Sequence, residues 1–308
     1  VAGAVGGGIG YAALAVAPVG LTGALALRAL QGAVTIGAFS LSMTMLMDLS
    51  DDHGADMGAA GIAIGLGTAL GAPVGGQLTE LAPRAPLFAG AVVLALAGVL
   101  ATRVPDRAPS GHGNSLAAAL DKLTAKPAVA VPYAFGFIDR FTAGFFALVG
   151  TLYFRQVFGL GAGQTGLTLA LFFAPFALLQ YPFGRLSDRI GRTVPIAAGS
   201  ALYGVAVVGV GFAPGLRLAQ AGMVAVGVLG ALMAPATMAL VTDLARDDER
   251  GVLMGGFNVA GSLGFLAGIV GGGWVAEQYG FEDAFLVAGG TELLLAALAL
   301  PALLRLGR

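Results

Sequence analysis

The stretch "GRLSDRIGR", Gly184 to Arg192, places three arginines, one aspartate and two glycines between two long apolar runs. Charged residues that flank membrane-spanning segments fix the orientation of those segments, and arginine and lysine collect on the cytoplasmic side. We therefore interpret this charged segment as a cytoplasmic connection between two membrane helices.

The composition is that of a membrane protein. Of 308 residues, 57% are hydrophobic and 11% are charged, the mean hydropathy is +0.87, and 51 are glycine. Soluble domains carry about 25% charged residues, and runs of about 20 apolar residues are typical of transmembrane helices. The net charge of −1 and the lack of a basic stripe argue against nucleic-acid binding. Without cysteine, and with both histidines in polar loops, the sequence predicts no metal site, catalytic group or cofactor.

Ten apolar runs predict an all-α protein with ten transmembrane helices and the lipid bilayer as its main surroundings. If both ends are cytoplasmic, eleven lysines and arginines lie on the cytoplasmic side and three lie on the other. This asymmetry predicts a multi-pass protein of the inner (plasma) membrane with both ends of this chain cytoplasmic. The predicted spans are 1–16, 20–45, 58–79, 86–103, 128–153, 164–183, 194–213, 218–241, 252–276 and 284–304.

The chain divides into two halves around a polar linker. The linker, 104–127, contains Pro, Gly and Ser and then a short amphipathic piece. It separates an N-terminal bundle of four helices, 1–103, from a C-terminal bundle of six, 128–308. The halves repeat: "HGADMGAAG…GGQLTE" matches "RGVLMGGFN…GGWVAE" without a gap at an offset of 197 residues. Parallel repeats of this kind are typical of transporters.

The charged segment resembles the signature loop of the major facilitator superfamily, Gly-x-Leu-x-Asp-Arg-x-Gly-Arg. That family has six plus six helices in two bundles, and its signature follows the second helix of a bundle. The resemblance therefore aligns this chain with family helices three to twelve and implies that two helices precede it. The matching residues are Gly184, Leu186, Asp188, Arg189, Gly191 and Arg192.

Two further motifs resemble the drug/proton antiporter branch of that family. "LRALQG" matches the branch's Arg-x-x-Gln-Gly at Arg28, Gln31 and Gly32. "GTALGAPVGG" resembles its glycine-rich fifth-helix motif, although Ala72 stands where the family has proline. The resemblance implies efflux driven by protons. The helix-packing residues of the second motif are Gly67, Gly71, Pro73, Gly75 and Gly76.

Two interpretations of the charged segment stay open. It forms either a latch that closes the cytoplasmic side during alternating access, or only a set of arginines that keeps the loop inside. In the latch hypothesis Asp188 lies in a tight loop near the start of the helix that begins at about 54–58. Arg189 and Arg192 would then reach the opposite half at Asp51, Asp52 or Asp56.

Four charged residues fall inside predicted spans, where each costs about 2.5–3.5 kcal/mol. Asp139 and Arg140 are sequence neighbours and point about 100° apart on a helix, so we expect them not to pair. Asp139 is a candidate for substrate contact or proton coupling, or belongs to a structural ion pair. Arg28 either takes part in proton coupling or substrate binding, or extends its side chain to the membrane surface. Glu292 either pairs with an arginine or is a lone protonated acid.

Other residues have weaker interpretations. Eleven of the eighteen phenylalanines lie between Phe135 and Phe183, and either line a substrate cavity or pack the bundle. Glu80 and Glu277 end their spans and are expected at the membrane interface.

The sequence favours a secondary active transporter that acts as a monomer and exports a small organic molecule in exchange for protons. A sugar or metabolite permease of the same superfamily is the alternative. A membrane-embedded enzyme or a non-transporting scaffold is disfavoured, because the chain offers no nucleophile or metal constellation.

Overall fold

The computed structural model describes residues 1–18, 20–49, 53–104, 126–246 and 249–306, with backbone alone between 36 and 62. The described residues form helices joined by short turns. The first half contains α1 (Ala2–Val16), α2 (Leu21–Leu49), α3 (His53–Leu81) and α4 (Ala85–Ala101). The second half contains a 3-10 turn (Pro127–Val129), α5 (Ala130–Phe145), a π-helical segment (Phe146–Gly150), α6 (Thr151–Gln156), α7 (Ala162–Ile190), α8 (Thr193–Gly211), α9 (Leu216–Leu244), α10 (Arg250–Tyr279) and α11 (Phe281–Leu306).

Six helical segments of the described part are long and apolar enough to cross a membrane. They are Pro127–Gln156, taken as one segment, and the five helices α7 to α11. The helices α1 and α4 are apolar but have 15 and 17 residues. The all-α prediction and the six spans of the second half are therefore confirmed, while the total of ten spans stays a prediction.

Leucines on the outer faces are exposed, and glycines lie where helices meet. Leu178 and Leu298, for example, have 65% and 71% of their surface exposed. Apolar surface of this kind suits lipid chains. Since lipid is as apolar as leucine, helices in a bilayer associate through close packing at small residues.

A glycine seam joins α5 to α10. Four α10 glycines recur every three or four residues and so lie on one helix face. A Cβ on Gly264 would collide with the carbonyl oxygen of Phe137, and one on Gly268 with that of Phe141. At these two glycines the backbones touch without intervening side chains, whereas Gly272 faces the Phe145 ring and Gly261 the Arg140 side chain. The seam glycines are Gly261, Gly264, Gly268 and Gly272.

A second close contact, between α3 and α7, joins the two halves of the chain. A Cβ on Gly76 would collide with the carbonyl oxygen of Ala162, and one on Gly166 with that of Ala72. Further along, Gly65 faces Ala177. Residue numbers rise on one helix as they fall on the other, so the two helices run antiparallel.

The glycine-rich motif of α3 contributes unevenly to that contact. Gly76 touches α7, and Pro73 lies 3.0 Å from the position of a Cβ on Gly166. In contrast, no described atom lies within 4 Å of the position of a Cβ on Gly67, Gly71 or Gly75. Close packing within the described residues therefore accounts for Gly76, while a packing role of the other three glycines stays a prediction.

Glu80 also crosses between the halves. Its Oε1 accepts a hydrogen bond of 2.7 Å from the backbone N–H of Gly163, in the first turn of α7. Backbone N–H groups at a helix N-terminus lack intrahelical partners and favour a negative charge. Glu80 therefore has a more specific role than the interfacial position expected from the sequence, because its carboxylate binds the start of a helix in the other half.

Aromatic side chains fill the core of the second half. Phe145, Phe146 and Phe154 are fully buried, and Tyr153 meets Phe285 edge to face with ring centroids 4.8 Å apart. The Tyr153 hydroxyl donates to the carbonyls of Val210 and Gly211, at 3.0 and 3.2 Å. These rings pack against each other, which favours the packing interpretation of this part of the cluster over a substrate cavity.

Lys126, at the start of the second half, binds the turn between α9 and α10. Its ammonium group donates to Glu249 and, at 3.2 Å, to the carbonyl oxygen of Leu244. Glu249 also accepts from the backbone N–H of Arg246 at 3.1 Å. The hydrogen bond from Lys126, and then that from Arg246, hold the pKa of Glu249 below its usual value.

We expect Lys126→Met to lower the thermal stability of the purified protein at neutral pH, because it removes the closer cation at Glu249 and leaves Arg246, whose Nε lies 3.5 Å from Oε1. Because the pKa of Glu249 is lower in the folded protein, its ionised form stabilises the fold at every pH above the usual glutamate pKa of about 4.3. That stabilisation disappears as the pH falls through the folded-state pKa. The difference in melting temperature between Lys126→Met and the wild type should therefore shrink in acid. Arg305→Met, at an exposed arginine of α11, is the control. An equal loss of stability in both variants would contradict the assignment.

Candidate functional site

The charged segment is mostly helical. The helix α7 continues to Ile190, and only Gly191 and Arg192 separate it from α8. Gly191 has φ +84°, a conformation that glycine adopts without strain. The prediction of a tight loop around Asp188 is therefore wrong: Asp188 lies in the last turn of α7, where the helix dipole disfavours a negative charge.

Arg192 offsets that unfavourable placement. Its guanidinium donates to Asp188, to Ser187 Oγ at 2.8 Å and to Asp243 Oδ2 at 3.0 Å. Burial lowers the pKa of Arg192, but the hydrogen bonds to Asp188 and Asp243 outweigh burial and raise it overall. A cavity of about 480 Å³ opens beside this cluster, between the ends of α7, α9 and α11. The arginine thus ties together α7 and α9 of one bundle.

Of the two sides of the predicted latch, the side chains of the charged segment are described and those of its predicted partners are not. Asp51, Asp52 and Asp56 lie outside the residues whose side chains are described, so contact between them and the charged segment stays a prediction. Arg189 and Leu186 are exposed on the last turns of α7. Arg192 is engaged within its own half, at Asp243, a partner that the sequence analysis did not name.

Arg28 begins a polar row along α2. Its Nη1 donates to Gln31 Oε1 at 2.7 Å, and the guanidinium lies 4.9 Å from the ring centroid of Tyr11. Gln31 is buried and donates in turn to Thr35 Oγ1 at 2.9 Å. An apolar cavity of about 540 Å³ adjoins Arg28 and Leu87. The two predicted residues are thus in direct contact, while a role in coupling stays a prediction.

Asp139 and Arg140 lie in the middle of α5. The Asp139 side chain is 14% exposed and that of Arg140 47% exposed, with 4.0 Å between Arg140 Nε and Asp139 Oδ2. The expectation that they do not pair is corrected, because the long arginine side chain turns back toward its neighbour. The contact remains longer than a hydrogen bond, so the carboxylate is only loosely compensated.

Glu292 is fully buried in α11, and its partner is a hydroxyl. Ser200 Oγ donates to Glu292 Oε1, whereas Oε2 has no hydrogen-bond partner among the described residues. The nearby Tyr203 hydroxyl is also buried without a partner in that part of the chain. Of the two interpretations from the sequence, the lone acid therefore describes Glu292 better than an arginine pair.

Three residues of this region were missed in the sequence analysis: Thr142, Ser200 and Tyr203. All three are buried hydroxyl residues. The available signal was their spacing. Thr142 follows Asp139 by three residues, and Tyr203 follows Ser200 by three, which places each pair on one helix face.

A model described as the Major Facilitator Superfamily matches residues 133–307, more than half of the chain. The chain belongs to the major facilitator superfamily. The alignment begins at the helix that carries Asp139 and extends through the charged segment to the end of α11.

Two relatives resemble this chain in sequence, and one solved structure resembles it in fold. An uncharacterised major facilitator-type transporter of Mycobacterium tuberculosis is 32% identical over 131 residues, which cover 42% of this chain and 23% of that protein. Multidrug resistance protein 2 of Bacillus subtilis is 31% identical over 136 residues, covering 43% and 34%. The human organic anion transporter MFSD10 superposes with a TM-score of 0.71 at 21% identity, covering 96% of this chain and 75% of that one.

These matches define the coarse function. The chain spans less than half the length of the two relatives. Two of these three proteins are named as transporters and the third as a multidrug resistance protein, which is consistent with the non-enzyme prediction. As a major facilitator protein, the chain is a multi-pass membrane protein from a family that moves small molecules across membranes.

Proposed function

We propose that this protein exports a small organic molecule across the plasma membrane in exchange for protons, as a monomer with both ends of this chain cytoplasmic. The observation that carries the proposal is Asp139, a loosely compensated carboxylate in the middle of a membrane helix. A charge in that position is costly and marks an ion or substrate pathway. The two bundles would rock about the midplane to give alternating access.

A sequence motif and the name of one relative support the exporter over a permease. The Arg28–Gln31 pair stands in the position of the antiporter-branch motif, and the relative from Bacillus subtilis is named a multidrug resistance protein. A sugar or metabolite permease is the alternative outcome of the experiment below.

We expect Asp139→Asn to abolish substrate-driven proton movement, because a side-chain amide does not ionise at neutral pH and so cannot take up and release a proton. The measurement is proton flux in proteoliposomes, followed with a pH-sensitive dye, on addition of organic cations, organic anions, nucleosides or sugars. Asp283→Asn, at an exposed acid in the first turn of α11, should behave as wild type.

Normal flux with a normal pH dependence in Asp139→Asn would contradict the coupling role. Counterflow of a sugar or metabolite by the wild type, without proton movement, would favour the permease. Asp139→Glu should retain part of the flux, because it keeps a titratable group in the same helix turn.

A further inference from the structure

We propose that Glu292 is a second, occluded proton site, and that Thr142 and Tyr203 connect it to Asp139. The proposal starts from a polar row that crosses three helices. Asp139 and Thr142 share a face of α5, Ser200 and Tyr203 share a face of α8, and Glu292 lies on α11. The helices α8 and α11 approach closely there, because a Cβ on Gly204 would lie 2.7 Å from the carbonyl oxygen of Gly289.

The row is closed to solvent beyond Asp139. Thr142, Ser200, Tyr203 and Glu292 each have 2% or less of their surface exposed, whereas Asp139 keeps a partly exposed side chain. The Thr142 hydroxyl donates to its own helix, at the carbonyl oxygen of Ile138, 3.2 Å away. The Tyr203 hydroxyl is near enough to interact with Thr142, although it has no hydrogen-bond partner among the described residues. Asp139 is therefore the entrance to the row and Glu292 its inner end.

The groups that face Glu292 do not compensate a negative charge. Tyr203 lies on α8 and Asp139 on α5, and both interact electrostatically with Glu292. Arg140 packs toward α10, where its Cγ lies 3.1 Å from the position of a Cβ on Gly261. On α9 and α10 the ionisable residues stand near the helix ends: Arg217, Asp243, Arg250, Glu277 and Tyr279.

An ionised Glu292 would thus be a buried charge with one hydroxyl partner, which is strongly unfavourable. The neutral carboxyl keeps the Ser200 bond and removes that cost. The unpartnered Oε2 and the unpartnered Tyr203 hydroxyl lie on neighbouring helices. Because a phenol both donates and accepts, Tyr203 is suited to pass a proton between the two acids.

The transfer balances without any further reactant. The carboxylic acid of Asp139 donates its proton to the Thr142 hydroxyl, which passes its own proton on to the Tyr203 hydroxyl. Tyr203 in turn releases its original proton to Oε2 of an ionised Glu292. Asp139 ends as a carboxylate, Glu292 as a carboxylic acid, and both hydroxyls are unchanged. The use of this site in transport rests on the proposed function, whereas its protonation is a property of the folded protein.

The experiment is infrared spectroscopy of the purified chain in detergent, at the C=O stretch of protonated carboxyl groups. We expect a wild-type band at neutral pH that Glu292→Gln removes and Asp283→Asn leaves in place. Ser200→Ala should shift the frequency of the band, because it removes the hydrogen bond to Oε1. The same band in wild type and Glu292→Gln, with Ser200→Ala also unchanged, would overturn the assignment.

The relay is tested by exchange into D2O. Tyr203→Phe should keep the Glu292 band but slow its deuterium shift by about a hundredfold, the lower end of the contribution of a positioned proton-transfer group. An unchanged exchange rate in Tyr203→Phe would remove tyrosine from the path. Transport without proton movement, with the band intact, would refute the proposed function and leave this site standing.

Discussion

Replacing Gly264 by leucine should prevent the second half of this protein from folding. The Cβ of any larger residue would collide with the carbonyl oxygen of Phe137, and a main-chain atom inside a helix cannot rotate away. Overpacking a well-packed core costs about 1–3 kcal/mol even where side chains can adjust. Here α10 would have to separate from α5 along the whole glycine seam, so we expect a larger loss.

The matched control is Gly271→Leu on the same helix. No described atom lies within 4 Å of the position of a Cβ on Gly271, so the added leucine should reach lipid. The measurement is the monodisperse yield and the melting temperature in detergent. Gly264→Leu protein with wild-type yield and melting temperature would show that the seam is not packed as described.

The second large effect is expected at the contact between the halves. Gly76→Leu places a side chain against the carbonyl oxygen of Ala162, at the end of α3 where Glu80 binds the start of α7. Each half keeps its own packing, so the protein should fold. The two bundles cannot approach on that side, however, and alternating access requires that they do. We therefore expect transport to be lost at near-normal expression.

Gly75→Leu is the control for this experiment, because the neighbouring position has open space for a Cβ among the described residues. Since the chain contains no cysteine, cross-linking between Gln77→Cys and Gly163→Cys reports the contact directly. Gly76→Leu should reduce cross-linking, whereas Gly75→Leu should preserve it. Equal transport by the two leucine variants would contradict the proposed role of this contact.

The sequence predicts the helices well and their partners poorly. Apolar runs of about 20 residues predict the six spans of the second half, because a segment that crosses lipid must satisfy its backbone hydrogen bonds within its own helix. The predicted span ends at 183 because the residues that follow are charged, whereas the backbone of α7 stays helical to Ile190. Arg192 pairs with Asp243, and no local pattern links two residues on different helices.

In the candidate site, too, the sequence predicts individual residues but not the contacts between them. Asp139 and Glu292 stand out in the sequence because acids are rare within membrane spans. Ser200 and Tyr203 do not stand out, since hydroxyl residues are ordinary there, and only the packing of α8 on α11 makes them partners of Glu292. Likewise, Gly75 and Gly76 are neighbouring residues of the same type, and only the position of α7 shows that Gly76 is the one at the helix contact.

The hydrogen bond between Glu80 and Gly163 has an evolutionary consequence. Its donor is a main-chain N–H, which every residue except proline supplies, so the identity of the residue at 163 is limited mainly by size. Selection on this contact would act on the acid and on the size of residue 163, because a Cβ there would lie 2.6 Å from the Gln77 side chain and 2.9 Å from Glu80 Oε1. Among homologous sequences, a larger residue at 163 would therefore be expected only together with a change at 77 or 80, and the hydrogen bond itself would leave no side-chain signature at 163.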